Sequence, residues 1–296
     1  MTKTELTVEQ LFCSTWNIYW NSERFQKSGR AYEVERIWKK DLAPTYGGLY
    51  LSQVTAGKVR EWLRGYDDKK LGGNRALEVL ARMFRHAEEM ELRPQHTNPC
   101  ALVKAFTEKK RKRFATAEEI QKIGEILNRD YKDNPRPVTF ILVLMLTGAR
   151  PKSIECSTWN NLEKVGDAGI LTFHGKTTDA SGEDEVVIIP PMAMKFLELL
   201  PKRETLVGIR APRFYWEKIR REIGCADLWL RDLRRTFATI GMGEGEDMNV
   251  IGELLNHKST QTTAIYAKLS GAKRFDTAMV ISNKMAGILK LDGQAR

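Results

Sequence analysis

The sequence predicts a mainly α-helical protein with a small β-hairpin or sheet, an α+β fold class, arranged as two domains. Helix-capping patterns followed by apolar residues at helical spacing recur through residues 1–108. Two short runs rich in β-branched residues, 170–173 and 186–189, lie in the second half and are joined by a polar loop. The length of 296 residues is sufficient for two buried cores.

Positive charge is concentrated in the first part of the chain. The formal net charge is +10. Residues 1–115 hold 22 Lys and Arg against 14 Asp and Glu, a net of +8, and the remainder carries only +2. This imbalance favours a polyanionic partner, nucleic acid before membrane, although a basic solvated surface has the same composition.

The apolar content predicts a soluble, cytoplasmic protein without membrane association. The longest apolar run, 138–146, is too short to span a bilayer, and the N-terminus has no apolar signal region. The four cysteines are far apart and form no C-x-x-C pair. They are typical of buried thiols in a reducing compartment rather than of a disulfide or zinc framework.

Four helices are predicted in the first domain, 1–108. Thr7 and Gln10 form a capping box for the first, and the second covers about 32–42, before Pro44. The third begins near Thr55. Gly72-Gly73 is expected to break the chain before a fourth helix from 74 to about 92. Helices with short connections predict a small bundle.

Five consecutive cations mark the boundary between the domains. We expect a basic linker at 109–115 that lies along a nucleic-acid backbone, the alternative being a solvated linker. The DNA-contacting candidates are Lys109, Lys110, Arg111, Lys112 and Arg113.

The second domain, 116–296, with a C-terminal tail at 270–296, is predicted to be mixed. Thr116 and Glu119 form a new capping box, and a helix over 137–147 ends at Gly148. Further helices are predicted around 151–158, 192–200, 213–223, 231–241, 248–255 and 263–269. A last apolar-periodic stretch, 274–291, packs either on its own domain or on a neighbouring protomer.

Candidate functional residues lie in four separate stretches of this domain. Arg150 follows the helix-ending Gly148, Lys176 ends the first strand, and Arg231 and Arg234 share a helix face. His257 and Tyr266 follow Asn256, which comes at a helix end where a left-handed residue is expected. Each residue alone has an ordinary structural explanation: a half-buried tyrosine, a surface lysine, or an arginine paired on a helix surface.

Taken together, these stretches resemble the tyrosine recombinases, the phage-integrase family of site-specific DNA recombinases. The family pattern is T-G-x-R, a hairpin lysine, H-x-x-R within a segment like D-L-R-R-T-F-A-T, and G-H-x-x-x-x-T-x-x-Y. Order and spacing match over residues 143–268. The helical bundle and Asn98-Pro99 resemble the family's core-binding domain, and the resemblance implies that the second domain is a tyrosine-recombinase catalytic domain.

The chain departs from the family pattern at two positions. Ser153 stands where an acidic residue is usual, three residues after Arg150, and Arg231 stands where His is usual. Because arginine cannot accept a proton near neutral pH, Arg231 can supply only charge. The segment after Lys176 also carries an acidic run, Glu183-Asp184-Glu185, which we interpret as a solvated loop tip.

The resemblance implies a catalytic role for each candidate. Arg150, Arg231, Arg234 and His257 would neutralise the non-bridging oxygens of a DNA phosphodiester, a task suited to guanidinium groups. Tyr266 would attack phosphorus to form a 3′-phosphotyrosyl link, and Lys176 would protonate the departing 5′ oxygen. No metal, ATP or other cofactor is required.

The expected function is that of an integrase of a phage or other mobile element. Its partners would be double-stranded DNA, three further protomers in a homotetramer on DNA, and, in some reactions, DNA-bending accessory proteins. A type IB topoisomerase would use the same chemistry, and a non-catalytic DNA-binding relative would fit the departures at Ser153 and Arg231. A helical transcription regulator would explain the basic bundle but not the Arg150–Tyr266 set.

Overall fold

The computed structural model describes residues 5–27, 30–109, 111–173, 185–256 and 271–291. Contacts divide the chain into two compact units, Met1–Arg111 and Lys112–Arg296, and the division lies inside the basic run. Each unit has its own apolar core. Among the helices in the described part of the chain, none has the length and apolarity needed to cross a membrane.

The first unit is helical. Its helices are α1 (Val8–Thr15, continued as a π-helical turn, Trp16–Trp20), α2 (Glu23–Lys27), α3 (Arg30–Ile37, continued as a π-helical turn, Trp38–Leu42), α4 (Ala43–Tyr46), α5 (Ala56–Arg64) and α6 (Lys70–Glu89). Short 3-10 turns lie at Leu51–Gln53 and Asp67–Lys69. The predicted capping box at Thr7 is present, and the Thr55 hydroxyl caps α5 by accepting from the Lys58 N–H at 3.3 Å.

The core of this unit is built from aromatic and aliphatic side chains on α1, α3 and α6. Phe12 stacks on Trp38 with ring centroids 4.3 Å apart. Leu11, Leu80 and Phe84 are fully buried beside them. Burial of side chains of this size stabilises a helix by about 1.5–3 kcal/mol each, so packing rather than intrinsic propensity fixes these short helices.

One sequence prediction in this unit was wrong. Gly72 and Gly73 do not break the chain, because α6 begins at Lys70 and continues through both. A Cβ at Gly73 would lie 2.7 Å from Cβ of Tyr66, so this glycine permits close packing. The second helix does end before Pro44, since its π-helical turn ends at Leu42 and Pro44 lies in the first turn of α4, where its missing N–H has no partner to lose.

The second unit combines helices with a three-stranded sheet. Its helices are α7 (Ala117–Asp130), α8 (Pro135–Thr147), α9 (Pro151–Cys156), α10 (Pro191–Glu198), α11 (Arg213–Glu222), α12 (Asp232–Gly243), α13 (Met248–Leu254) and α14 (Gly271–Leu289). Its strands are β1 (Leu162–Val165), β2 (Ala168–Phe173) and β3 (Glu185–Ile189). The predicted fold class, helical with a small sheet, is confirmed.

The sheet is antiparallel in the order β1-β2-β3, with Leu162 opposite Leu171 and Phe173 opposite Glu185. Strands β2 and β3 contain the two predicted runs. Strand β1 was not predicted because its residues are largely exposed and show no alternation of apolar and polar side chains.

Helix α8 forms the centre of this unit, and every residue from Val138 to Thr147 is buried. Helices α7, α10, α12 and α14 pack around it. The C-terminal stretch therefore packs on its own unit, with Ile281, Met285 and Leu289 fully buried, and the neighbouring-protomer alternative is not supported. The prediction of four buried thiols was also wrong, since Cys13 and Cys156 are exposed.

Candidate active site

Arg150 is placed by the turn that joins α8 to α9. The predicted helix end is confirmed at Gly148, which has a left-handed φ of 64°. Arg150 follows with extended backbone and precedes the first turn of α9. Its Nη1 forms an ion pair with the Glu185 carboxylate, and its Nη2 donates to the main-chain oxygen of Asn256 at 3.3 Å. The side chain remains 41% exposed, so an incoming group can reach it.

Arg234, in the first turn of α12, is more deeply buried. Its Nη1 donates to the Gly148 carbonyl at 3.0 Å, and its Nη2 donates to the Leu255 carbonyl. Burial, together with the nearby charge of Arg150, lowers the pKa of Arg234 to about 10, so it remains cationic at neutral pH. The ion pair with Asp232 is instead made by Arg235, whose Nη1 lies 3.0 Å from Oδ1 of that buried carboxylate.

Gly148 brings these elements together because it has no side chain. A Cβ at this position would lie 2.7 Å from Cδ2 of Leu255 and 2.8 Å from Cδ1 of Phe237. Those residues belong to a small apolar cluster on α12, α13 and α14. The turn that carries Arg150 therefore lies directly against α12 and the end of α13.

Asn256 ends α13 in the left-handed conformation predicted for it, with a φ of 49°. Its side-chain amide joins the edge of β3, donating from Nδ2 to the Val186 carbonyl at 2.9 Å and accepting the Val186 N–H at 3.4 Å. Left-handed asparagine is tolerated because its short polar side chain bonds locally. The residue before His257 is thus fixed to the same strand that carries Glu185.

Glu185 corrects the interpretation of the acidic run as a solvated loop tip. It is the first residue of β3, is 8% exposed, and pairs with Arg150 while accepting a hydrogen bond of 3.1 Å from the Ser153 hydroxyl. The period of two could have revealed it, because Glu185, Val187 and Ile189 share the buried face. The strand predicted from β-branched residues begins one residue too late to include it. Glu183 and Asp184 lie outside the described residues.

The structure brings Arg150 and Arg234 together but leaves other candidates apart or undescribed. Arg231 directly precedes α12, is exposed, and has no hydrogen bond or ion pair to a residue in the described ranges. Lys176, His257 and Tyr266 lie outside those ranges. Their roles therefore stay predictions.

The basic run contains residues in two different environments. Lys109 and Lys112 are exposed, whereas Lys110 lies outside the described residues. Arg113 is bound by two carboxylates, with Nη1 2.9 Å from Oε2 of Glu119 and Nε 2.9 Å from Oδ2 of Asp227. Burial raises the pKa of Glu119, but the hydrogen bond from Arg113 outweighs it and leaves that pKa lowered. Arg113 thus attaches the end of the linker to the second unit.

Among the described residues, the site combines two guanidinium groups, those of Arg150 and Arg234, with one carboxylate, that of Glu185. These three groups together carry a net positive charge. Both guanidinium groups are partly desolvated, which strengthens their attraction for an anion. The carbonyl partners of Arg234 fix its orientation without neutralising it. Planar donors held in this way fit the paired oxygens of a phosphate group.

Known proteins resemble this chain in sequence and in fold. The chain is 26% identical to tyrosine recombinase XerA of Pyrococcus furiosus over 246 residues, which is 76% of this chain and 78% of that protein. A lambda integrase dimer bound to a core site has a TM-score of 0.68 and 19% identity, covering 86% of this chain and 97% of that one.

The integrase of transposon Tn1549, solved with transposon right-end DNA, has a TM-score of 0.66 at 16% identity and covers 95% of this chain and 100% of that one. No protein-family model matches the chain. The ordered motifs around Arg150 and Arg234 and the similarity to XerA are nevertheless consistent with one another, and both make this chain similar to the tyrosine recombinases.

Proposed function

We propose that the protein is a site-specific DNA recombinase, the integrase of a phage or other mobile element, which cuts and rejoins duplex DNA through a 3′-phosphotyrosyl intermediate. The observation that carries this proposal is the adjacent placement of Arg150 and Arg234, with Arg234 held by the carbonyls of Gly148 and Leu255. Two cations so fixed suit the two non-bridging oxygens of one scissile phosphate. The similarity to XerA supports the same assignment.

The reaction assigns one step to each candidate residue. The Tyr266 oxygen attacks phosphorus as its proton passes to water, and arginines bound to the scissile phosphate would favour the phenolate. The bond to the 5′ oxygen breaks, and Lys176 gives that oxygen a proton. Arg150, Arg231, Arg234 and His257 stabilise the added negative charge of the pentavalent state. Attack by the 5′ hydroxyl of a second strand reverses these steps, so no ATP is consumed.

The proposal extends to assembly on DNA. A lambda integrase tetramer has been solved on a Holliday junction, with a TM-score of 0.68 to this chain. We propose by analogy that four protomers of this chain act on two DNA sites, and that DNA-bending proteins assist them. Both units would bind the duplex, with Lys109, Lys110, Arg111 and Lys112 of the linker along its backbone.

Covalent capture tests the function even though the target site is unidentified. The full-length protein is incubated with a pool of nicked duplexes that carry random sequence on both sides of the nick. Protein–DNA adducts that survive denaturation are purified, and their DNA is sequenced. We expect adducts to accumulate on a restricted family of sequences because the short strand beyond the nick diffuses away and prevents religation.

The Tyr266→Phe variant is the matched control, since it keeps the aromatic ring but removes the attacking oxygen. It should retain DNA affinity within a few-fold and form no adduct; adducts at the parental level would assign the nucleophile to another residue. Adducts without sequence preference, accompanied by relaxation of supercoiled plasmid, would favour a type IB topoisomerase. Binding without any adduct would favour a non-catalytic DNA-binding relative.

A further inference from the structure

Glu185 is a buried carboxylate for which the reaction above has no role. Its side chain is only 9% exposed. A buried charge is costly unless it is paired and hydrogen-bonded. One carboxylate oxygen pairs with Nη1 of Arg150, and the other accepts the Ser153 hydroxyl at 3.1 Å. Both oxygens are therefore used, and both partners belong to the turn that opens α9.

The carboxylate fixes one side of the Arg150 guanidinium. A second N–H of that group donates to the Asn256 carbonyl at 3.3 Å. Two of the five N–H donors of Arg150 thus have acceptors among the described residues. One acceptor is on β3, and the other follows α13. The guanidinium is held at two points while much of the side chain remains exposed to an incoming phosphate.

Glu185 also offsets the repulsion between the two arginines. Arg150 and Arg234 are close enough for the charge of one to affect the other. The partners of Arg234 are carbonyl dipoles, which carry no net charge. Within the part of the chain that the structure describes, Glu185 is the carboxylate that pairs with one of these two arginines, Arg150. It keeps two like charges together in the absence of DNA.

The position of Glu185 explains why a serine suffices at 153. Ser153 lies one helical turn after Arg150 and is buried, yet its hydroxyl carries no charge. It donates instead to a carboxylate presented from β3. Glu185 faces Phe173 across the sheet, and the segment that joins these two residues contains Lys176. In the sequence, the proposed general acid thus lies between β2 and the strand that carries the carboxylate bound to Arg150.

We propose that Glu185 is a positioning residue, whose buried carboxylate, held by Ser153, fixes the Arg150 guanidinium in the orientation that binds the scissile phosphate. This inference rests on the proposed recombinase function. It assigns to β3 a role in transition-state stabilisation that acts through Arg150 and does not involve contact with DNA. Its loss should lower the rate of cleavage and leave DNA affinity nearly unchanged.

The first test is a rate measurement on a nicked duplex recovered by covalent capture. Glu185→Gln keeps the size of the side chain but removes its charge. Adduct formation under single turnover should slow by about 10- to 100-fold, the effect of a misplacement on the order of 1 Å, while affinity changes less than about threefold. Glu155→Gln is the matched control, because Glu155 pairs with Lys152 on α9 and not with either arginine.

The second test is a charge swap. Because the Ser153 hydroxyl is in hydrogen-bond contact with the Glu185 carboxylate, an aspartate at 153 would place its charge near the same point. Glu185→Gln combined with Ser153→Asp should recover most of the lost rate. Ser153→Asp alone should impair the enzyme by placing two carboxylates in contact. If Glu185→Gln does not fold, Ser153→Ala, which removes only the supporting hydroxyl, should still slow cleavage by a few-fold.

A readout independent of activity separates this inference from the proposed function. In protein labelled with [15N]arginine, a guanidinium held at two points should give resolved Nη resonances, assigned to Arg150 by their absence in Arg150→Lys. Those resonances should merge or shift in Glu185→Gln and return in the swap. Unchanged resonances, or cleavage at the parental rate, would overturn the inference. Absence of adducts in the parent would overturn the recombinase proposal, and the resonances would still decide whether Glu185 holds Arg150.

Discussion

The Arg234 guanidinium donates a hydrogen bond of 3.0 Å to the carbonyl oxygen of Gly148. The same group also donates to the Leu255 carbonyl, so one cation ties the turn after α8 to the end of α13. These two segments carry Arg150 and Asn256. Because its partners are uncharged carbonyls, the cation can hold the site together and still attract an anion.

This relationship predicts that the absence of a side chain at Gly148 is essential. Gly148→Ala would force a left-handed φ on alanine and place a methyl group within 3 Å of Leu255 and Phe237. The two effects together should cost at least about 2 kcal/mol of unfolding free energy. Cleavage should also slow, because Arg150 and Arg234 both depend on this turn.

Urea titration followed by hydrogen exchange of peptides from residues 112–296 would measure that loss within the second unit. Gly287→Ala is the matched control, since Gly287 is exposed in α14 with open space where a Cβ would lie. It should be neutral or stabilise by up to about 1 kcal/mol. Equal stability of the two variants would show that the Gly148 turn can relax around a methyl group.

The linker should contribute to DNA affinity through its exposed cations and not through Arg113. Neutralising Lys109 and Lys112 together should reduce the slope of log K against log salt by about 0.9 for each phosphate contact that is lost. The slope is measured by fluorescence anisotropy with a labelled duplex over a range of salt concentrations. A slope that does not change would mean that these lysines make no phosphate contact.

Arg113→Gln provides the contrast. Its guanidinium is already bound by Glu119 and Asp227, so the variant should leave the salt slope nearly unchanged. It should instead loosen the start of α7, which hydrogen exchange of the 113–125 segment would detect. A drop in slope equal to that of a lysine variant would show that Arg113 exchanges its carboxylates for phosphate when DNA binds.

The Asp130 carboxylate should make the contact between α7 and α11 sensitive to acid. Its carboxylate accepts from Nε of Arg129 at 2.8 Å and from Nζ of Lys218 at 3.3 Å, and the Arg129 hydrogen bond lowers its pKa. A lowered folded-state pKa means that this stabilisation is present above the unfolded value, about 3.9, and is lost as the pH falls through the folded value.

The unfolding free energy of Asp130→Asn should therefore lie below that of the parent at pH 7, and the gap should narrow progressively as the pH falls below about 4. Denaturant titrations at several pH values would measure it. Asp133→Asn removes the same charge from an exposed position and controls for net charge. A gap that persists at low pH would show that Asp130 contributes through packing or hydrogen bonds of its neutral form.

Helix starts and helix ends could be predicted from the sequence because they depend on residues close to them in the chain. The capping hydroxyls of Thr7 and Thr116 and the left-handed Gly148 and Asn256 depend on neighbours within four residues. Gly73 was misjudged because its reason is tertiary, the close approach of Tyr66. Nothing within a few residues of Gly73 distinguishes a helix break from a packing contact.

The same contrast between local signals and tertiary contacts applies to the candidate active site. Arg150 and Arg234 were selected by motif spacing, and the structure places them together. Glu185 was missed as a partner of Arg150 because the two residues are 35 positions apart in the chain and meet only through the pairing of β2 with β3. An acidic side chain next to a polar loop predicts solvation unless the register of the strand is known.

Arg231 and Arg234 are one helical turn apart yet differ in burial. Arg234 is fixed by two carbonyls, whereas Arg231 is exposed at the start of α12. We expect both to act on the phosphate, with Arg231 gaining its partner only when DNA is bound. Arg234→Ala and Arg231→Ala should each slow adduct formation by about 10²–10³ in single turnover. Arg234→Ala should also lower the stability of the second unit, whereas Arg231→Ala should not.

Arg231→His would test what kind of group this position needs. It should retain substantial activity and introduce a dependence on pH near ~6.5, the unperturbed imidazole value, because histidine supplies charge only when protonated. Arg221→Ala, which removes an exposed charge from α11, controls for the general loss of one positive charge. Cleavage by Arg231→Ala at the parental rate would remove Arg231 from the active site and leave Arg150 and Arg234 as its two arginines.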